Sequence, residues 1–148
     1  MKYTTEIVVH IPLNDFIKKL NHAENMKHWQ RGLLGHEFIH GTPGDIGSKM
    51  KLKYQMGKRQ MELVETITHK KLPYEFHMMY DAKGMQNIQE NYFEETPEGH
   101  TKWTSISEFM LRMMTLLMPG TFKKQSKQYM QDFKNFAEKG ISVSHEKT

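Results

Sequence analysis

The pentapeptide His36-Glu37-Phe38-Ile39-His40 matches the H-E-x-x-H motif of zinc peptidases. In those enzymes a helix places the two histidines one turn apart, and the glutamate acts as a general base. Here Gly35 and Gly41 flank the pentapeptide, so a helix of several turns has no room. If the segment is a strand, the two histidines stand about 13 Å apart, too far for one zinc ion. We therefore predict no zinc site here.

The remaining histidines show no second metal-ligand spacing, and we expect no metal or other cofactor. His77 alternates with Phe76 and Met78, which predicts a surface histidine on the face opposite these apolar residues.

Acid/base chemistry is a second possibility, in the predicted strand at residues 85–94. One face carries Met85, Asn87, Gln89, Asn91 and Phe93; the other carries Gln86, Ile88, Glu90, Tyr92 and Glu94. The period of two does not say which face lies inside. If Tyr92 is inside beside Trp103, Glu90 also points inward, burial raises its pKa, and it becomes a general acid/base candidate. In the alternative, the polar face is simply solvated.

The elements that must position these residues are mostly strands. Residues 49–56 alternate, with Met50, Leu52, Tyr54 and Met56 on one face and Lys49, Lys51, Lys53 and Gln55 on the other. One face is therefore core and the other faces water, as in an antiparallel sheet. Further strands are predicted at 3–11, 33–40, 60–68, 75–80, 85–94 and 101–110, with two short helices between the first and second. Short turns between consecutive strands predict a meander, and a twisted sheet of about seven strands curls.

The last segment predicts a long helix with an aromatic stripe. Phe122, Ser126, Tyr129, Phe133 and Phe136 recur at steps of four and three, which puts them on one helical face. Upstream, the methionine-rich run at 110–120 admits two interpretations. It is either the start of a helix kinked at Pro119 or an exposed lip. The fold class is α+β: one long C-terminal helix gripped by a curved sheet, in the order β-α-α-β6-α.

Composition sets the remaining limits. The chain has 148 residues, 37% hydrophobic and 26% charged, which predicts one globular domain at 1–140 and a polar tail at 141–148. It has no cysteine, which excludes disulfides and thiolate chemistry and fits a reducing compartment. Residues 1–6 lack a signal peptide's apolar run, and the longest apolar run, 113–118, is too short to span a bilayer. We therefore expect a soluble, cytoplasmic protein without a transmembrane segment.

The order of local motifs resembles the START-related SRPBCC superfamily, which has the helix-grip fold and includes birch-pollen-allergen-like proteins and the polyketide cyclase/dehydrase group. Four segments carry the resemblance. The first is Ile11-Pro12 with a following helix and Trp29, and the second is Gly44-Asp45-Ile46-Gly47 before Met50. The third is Gly99-His100-Thr101-Lys102-Trp103, and the fourth is Met118-Pro119 through Glu138, where Phe133 or Phe136 takes the place of the family's usual leucine. The resemblance covers nearly the whole chain. It implies an apolar cavity between the sheet and the last helix. Members bind or transport hydrophobic molecules, catalyse cyclisation or dehydration, or bind partners.

Three hypotheses follow. In the first, the protein is not an enzyme and binds a small hydrophobic or amphipathic molecule in this cavity. The predicted lining is Met50, Leu52, Tyr54, Met56, Phe76, Met78, Trp103, Phe109, Phe122, Ser126, Tyr129 and Phe133. In the second, it is a cyclase/dehydratase-type enzyme that uses Glu90 and Tyr92, with Tyr54 or Asn91 orienting the substrate. In the third, the net charge of +4 serves a basic module for anionic lipid or nucleic acid. The dispersed basic residues favour a solvated surface, so we do not expect nucleic acid binding.

Overall fold

The computed structural model describes residues 1–111 and 119–144. The elements are β1 (Lys2–Val9), α1 (Leu13–Leu20), a 3-10 turn (Ala23–Asn25), α2 (Met26–Trp29), β2 (Leu33–His40), β3 (Lys49–Met56), β4 (Arg59–Lys71), β5 (Glu75–Ala82), β6 (Met85–Glu95), β7 (Thr101–Leu111) and α3 (Pro119–Lys139). This order confirms the predicted β-α-α-β6-α arrangement. Most of the methionine-rich run, at 112–118, and the end of the tail, at 145–148, lie outside the described residues.

Within the described residues, seven strands form one antiparallel sheet in the order β1-β7-β6-β5-β4-β3-β2. Strands β2 to β7 pair with their sequence neighbours as a meander, and β1 closes the order by pairing with β7. The two short helices connect the edge strands β1 and β2. No described helix is long and apolar enough to cross a bilayer.

The sheet has an inner face, which packs against α3, and an outer face. Along β3 the alternation predicted from sequence holds, because Met50, Leu52 and Tyr54 are buried. Along β7 the inner residues include Trp103, Ser105 and Ser107, all buried. The register places inner residues of neighbouring strands opposite one another, so that Trp103 of β7 pairs with Phe93 of β6 and with Ile7 of β1.

An aromatic cluster fills one end of the space between the sheet and α3. Phe133 of α3 is fully buried, and its ring lies 5.0 Å from Phe16, 5.2 Å from Trp29 and 5.6 Å from Trp103. These rings meet edge to face, the arrangement that their quadrupoles favour. Helices α1 and α2 therefore close this end of the sheet with packed side chains.

The N-terminal half of α3 lies over a different part of the sheet. The Phe122 ring stacks on Phe109 at 4.3 Å, and Ser126 Oγ is 2.7 Å from the Tyr3 hydroxyl. Phe136 lies toward α2, where its ring stacks on His28 at 5.2 Å. The predicted stripe thus spreads over three environments: aromatic core, polar contact and helix–helix packing.

The H-E-x-x-H segment forms β2, so it is a strand and not a helix. His36 pairs with Leu52 of β3 and lies 3.9 Å from Glu24, whereas His40 is exposed at the end of the strand. The helical geometry that a zinc peptidase needs is not formed at this motif.

Candidate functional site

A glutamate lies on the inner face among apolar side chains. Glu65 of β4 is 9% exposed, and its neighbours on the same strand face are Leu63 and Ile67, both buried. In the register Glu65 pairs with Met50 of β3 and Tyr80 of β5. The sheet therefore places one carboxyl group in an apolar environment under α3.

Burial raises the pKa of Glu65 from its ordinary 4.5 to about 7, and the neighbouring Tyr80 hydroxyl offsets part of that effect. A carboxyl removed from water resists ionisation because its charged form loses solvation. Near neutral pH, Glu65 can therefore be protonated and donate a hydrogen bond, or be ionised and accept one. A group with this freedom, held in a shielded site, can orient a polar ligand or transfer a proton.

Two tyrosines, Tyr54 and Tyr80, interact with this carboxyl group, and both also interact with Tyr129 of α3. We call Glu65, Tyr54, Tyr80 and Tyr129 the inner-face site. Burial is the main cause that raises the pKa of each tyrosine, and Tyr54 and Tyr80 also experience the nearby Glu65 charge. The Tyr54 hydroxyl donates to Gln30 Oε1, and the Tyr80 hydroxyl donates to Met78 Sδ at 3.4 Å. The tyrosines thus stay protonated and offer hydroxyl groups to a ligand.

A pocket that is open to solvent adjoins Tyr129. This pocket, which we call the mouth, has a volume of about 320 Å³ and is lined by Arg31, Gly32, Gln55, Met56, Gly57, Gln125, Gln128 and Tyr129. Its size is at the lower end of the range for small-molecule sites. Tyr129 lines the mouth and also interacts with Tyr54 and Tyr80 of the inner-face site.

Two contacts fix the shape of the mouth. Arg31 donates from Nε and a terminal nitrogen to the two carboxylate oxygens of Asp132, both at 3.0 Å, and Gln128 donates to the same carboxylate at 2.9 Å. On the opposite wall, Gly32 has a φ of +85°, and a Cβ there would lie 2.6 Å from the Gln55 carbonyl oxygen. The end of α2 is therefore tied to both α3 and β3.

A second, more open groove of about 550 Å³ lies where β4 and β5 diverge. Its lining includes Met61, Leu63 and Ala82, which belong to or pack against the second apolar cluster of Met26, Met50, Leu52, Tyr54 and Leu63. This cluster is adjacent to Glu65 and rich in methionine, whose flexible side chain adapts to varied ligand shapes.

Polar side chains continue across the inner face of β6, β7 and β1. Asn91 is 2% exposed; its Oδ1 accepts from Trp103 Nε1 at 3.0 Å, and its Nδ2 donates to Gln89 at 3.3 Å. The Thr5 hydroxyl is buried without a hydrogen-bond partner among the described residues. Buried polar atoms normally have partners, so this hydroxyl remains open to a ligand or a water molecule.

The structure separates the predicted lining residues into two groups. Phe133 and Trp103 belong to the aromatic cluster, and Phe76 packs against it. The others lie in or near the second apolar cluster, the mouth or the N-terminal half of α3: Met50, Leu52, Tyr54, Met56, Met78, Phe109, Phe122, Ser126 and Tyr129. Within this second group, Tyr54 and Tyr129 belong to the inner-face site, Met50 pairs with Glu65, and Met56 lines the mouth.

Glu90 and Tyr92 do not lie where the enzyme hypothesis requires. Trp103 pairs with Phe93, and its indole N–H donates a hydrogen bond to Asn91, whereas Tyr92 pairs with Thr104 on the outer face. The Tyr92 hydroxyl donates to Glu90 at 2.6 Å, and that hydrogen bond is the main reason its pKa rises to about 12. The condition that both residues point into the cavity is therefore wrong. The amide face of β6 is the inner one because it supplies Phe93 to the aromatic cluster and a partner to the indole N–H.

Sequence reasoning missed Glu65, although a signal for it existed. Met61, Leu63, Glu65 and Ile67 alternate on one face of β4. A single carboxyl in an otherwise apolar row indicates a buried acid, which seldom occurs without a functional reason.

No family model and no curated protein matches the sequence. The chain is similar in structure to Ara h 8.0201, with a TM-score of 0.77, 12% identity, and 93% of this chain and 97% of that chain covered. It is also similar to a protein from Rhizobium leguminosarum, with a TM-score of 0.77, 11% identity, and coverage of 93% and 94%. For a Staphylococcus aureus protein of unknown function the TM-score is 0.69, with 13% identity and coverage of 95% and 94%. At such identities the likeness shows the fold: the chain has the helix-grip fold that its sequence motifs implied.

Proposed function

We propose that this protein binds a small amphipathic molecule between the inner face of the sheet and α3. The ligand's polar group hydrogen-bonds to Glu65 and the tyrosine hydroxyls, and its apolar body packs against the second apolar cluster. The observation that carries this proposal is the buried carboxyl of Glu65, which interacts with Tyr54 and Tyr80, while Tyr129 connects these two tyrosines with the mouth.

Energetics support this interpretation. A carboxyl group in an apolar core destabilises the folded state, and an apolar residue of similar size at the same place avoids that cost. The aromatic cluster at the other end of the sheet shows what such packing looks like in this chain, since Phe133 is fully buried among three rings. A buried carboxyl group in a row of apolar residues is a polar group of the kind that fixes the orientation of a ligand in a binding site.

The proposal is tested by thermal unfolding of the purified protein with a panel of fatty acids, sterols and aromatic polyketides. A ligand at about 100 times its Kd stabilises the folded protein by about 2.7 kcal/mol, which is readily measured. Met56→Trp narrows the mouth and is expected to weaken binding at least ~10-fold, a difference of about 1.4 kcal/mol.

The matched control is Met79→Trp. Met79 is also a partly buried methionine in a strand, but it pairs with Ile88 and Thr66 on the outer face. We expect this variant to bind like the wild type. A panel in which no compound stabilises the protein, or equal weakening by both substitutions, contradicts the proposal.

A second candidate function is acid/base catalysis of a cyclisation or dehydration, with Glu65 in the role that sequence reasoning gave to Glu90. The pKa of about 7 favours it, because a general acid or base works best when its pKa lies near the working pH. Each ligand found in the panel can be incubated with the wild type and with Glu65→Gln and then analysed by mass spectrometry. Conversion by the wild type alone supports catalysis; an unchanged ligand with both proteins supports binding only.

A further inference from the structure

Three metal-ligating side chains converge on the outer face of the β4–β5 hairpin. Glu75 Oε1 lies 3.8 Å from His69 Nε2 and 3.9 Å from His77 Nε2. The two imidazole rings are 4.8 Å apart, and the candidate ligand atoms all lie within 4.8 Å of one another. This group is separate from the inner-face site, which lies on the opposite side of the sheet.

The backbone of the hairpin explains why these residues meet. His69 pairs directly with His77 across the hairpin, and Glu75 is two residues before His77 on the same strand face. A β-bulge between Ile67 and His69 shifts the register. Strict alternation puts His69 on the inner face with Leu63, Glu65 and Ile67, but the extra residue turns it outward. Bulges redirect side chains in this way, often next to functional sites.

We propose that His69, Glu75 and His77 form a binding site for a divalent transition metal, with zinc as the ion whose preferences it fits. Two imidazoles and one carboxylate are a donor set that binds zinc and leaves a fourth position open to water or another ligand. Ligand atoms around a tetrahedral zinc ion lie about 3.3 Å apart. The two nitrogen–oxygen distances therefore need to close by about half an ångström, and the two imidazole nitrogens, which lie within 4.8 Å of each other, by up to about 1.5 Å.

The surroundings of the three side chains suit a cation. Glu90 pairs with His77 in the register and adds a second carboxylate to this face. Lys71 pairs with Glu75, but it is exposed at the end of β4 and free to extend into water. The side chains of His77 and Glu75 are 14% and 28% exposed, so two of the three ligands are already held in place by their neighbours.

One rearrangement accompanies binding. His77 Nδ1 accepts a long hydrogen bond of 3.2 Å from the backbone N–H of Asn91. Coordination through Nε2 requires the ring proton to reside on Nδ1, so this contact is given up. The loss of one neutral hydrogen bond is small beside the free energy of several metal–ligand bonds.

The test is calorimetric titration of the full chain, prepared without a histidine tag, with zinc chloride. We expect one zinc ion per chain. Loss of a side chain that merely orients a ligand weakens metal binding about 10- to 100-fold. The double variant His69→Ala/His77→Ala and the single variant Glu75→Gln are therefore each expected to lose at least ~10-fold in affinity. The isosteric Glu75→Gln keeps the shape of the hairpin, and circular dichroism checks that both variants fold.

The matched control is His10→Ala/His100→Ala, which removes another pair of histidines, with rings 4.5 Å apart. This control is expected to bind zinc as the wild type does. The proposal is overturned if the hairpin variants keep wild-type affinity, or if the control loses as much, since surface histidines in general then account for the binding.

Discussion

Replacing Glu65 by glutamine makes the most direct test of the inner-face site. The variant keeps the shape of the side chain and removes its ability to ionise. Because the pKa of Glu65 in the folded protein is raised from 4.5 to about 7, the folded state binds this proton more tightly than the unfolded state does. The contribution of this group is therefore fully present below pH 4.5 and is lost as the pH rises through about 7.

The magnitude follows from the same two pKa values. Each pH unit between the folded and unfolded pKa corresponds to 1.36 kcal/mol, so the full effect is about 3 kcal/mol, of which roughly 2 to 3 kcal/mol falls between pH 5 and pH 8. The variant gives up the Tyr80 interaction with the acid, a loss of about 1 kcal/mol. We expect it to match the wild type or be slightly less stable near pH 5, and to be more stable at pH 8.

Urea unfolding of both proteins at pH 5, 6, 7 and 8 measures this difference, and subtracting the two curves cancels the other titrating groups. Glu62→Gln is the control, because Glu62 is on the same strand but exposed, 3.7 Å from Lys53. Such a surface pair contributes at most about 1 kcal/mol, so this difference stays small. A wild-type-minus-Glu65→Gln difference that does not change with pH refutes the argument that Glu65 is desolvated.

Two further substitutions test the packing around the site. Phe133→Ala removes a fully buried ring from the aromatic cluster and is expected to lower the free energy of unfolding by about 3 to 5 kcal/mol. Phe136→Ala, at a half-buried position, is expected to lower it clearly less. Equal losses contradict the packing described. Arg31→Met removes the bidentate partner of Asp132, whose side chain is 3% exposed. The substitution is expected to lower the free energy of unfolding by about 1 to 3 kcal/mol. This loss persists in high salt, because salt screens a buried carboxylate weakly. A loss that disappears in 1 M salt indicates a surface pair instead.

Whether the inner residues of a strand could be predicted from the sequence depended on how clearly apolar and polar residues alternate along that strand. Residues Lys49–Met56 alternate apolar and polar without exception, so the inner position of Met50, Leu52 and Tyr54 was predictable. Strand β6 carries polar residues on both faces, and its period could not decide between them. The pairing of Phe93 with Trp103 decided it, and that contact joins residues of two strands.

Glu65 and His69 show two further limits of prediction from the sequence. Glu65 could be recognised in the sequence as an acid in an apolar row, but its raised pKa depends on burial, which the packing of other elements creates. The outward orientation of His69 could not be predicted from the sequence. A β-bulge reverses the orientation, and no residue type near it indicates where the extra residue lies. The approach of His69 to His77 follows from the register of the hairpin.

The fold follows from the sequence alone, because hydrophobic periodicity, turn residues and the order of elements are local properties of the chain. The aromatic stripe of α3 and the strand nature of the H-E-x-x-H segment follow in the same way. The burial of particular polar groups, the inward face of β6 and the meeting of two histidines became evident from the three-dimensional structure. Those outcomes depend on contacts between residues far apart in the chain, and burial and proximity set pKa values and ligand geometry.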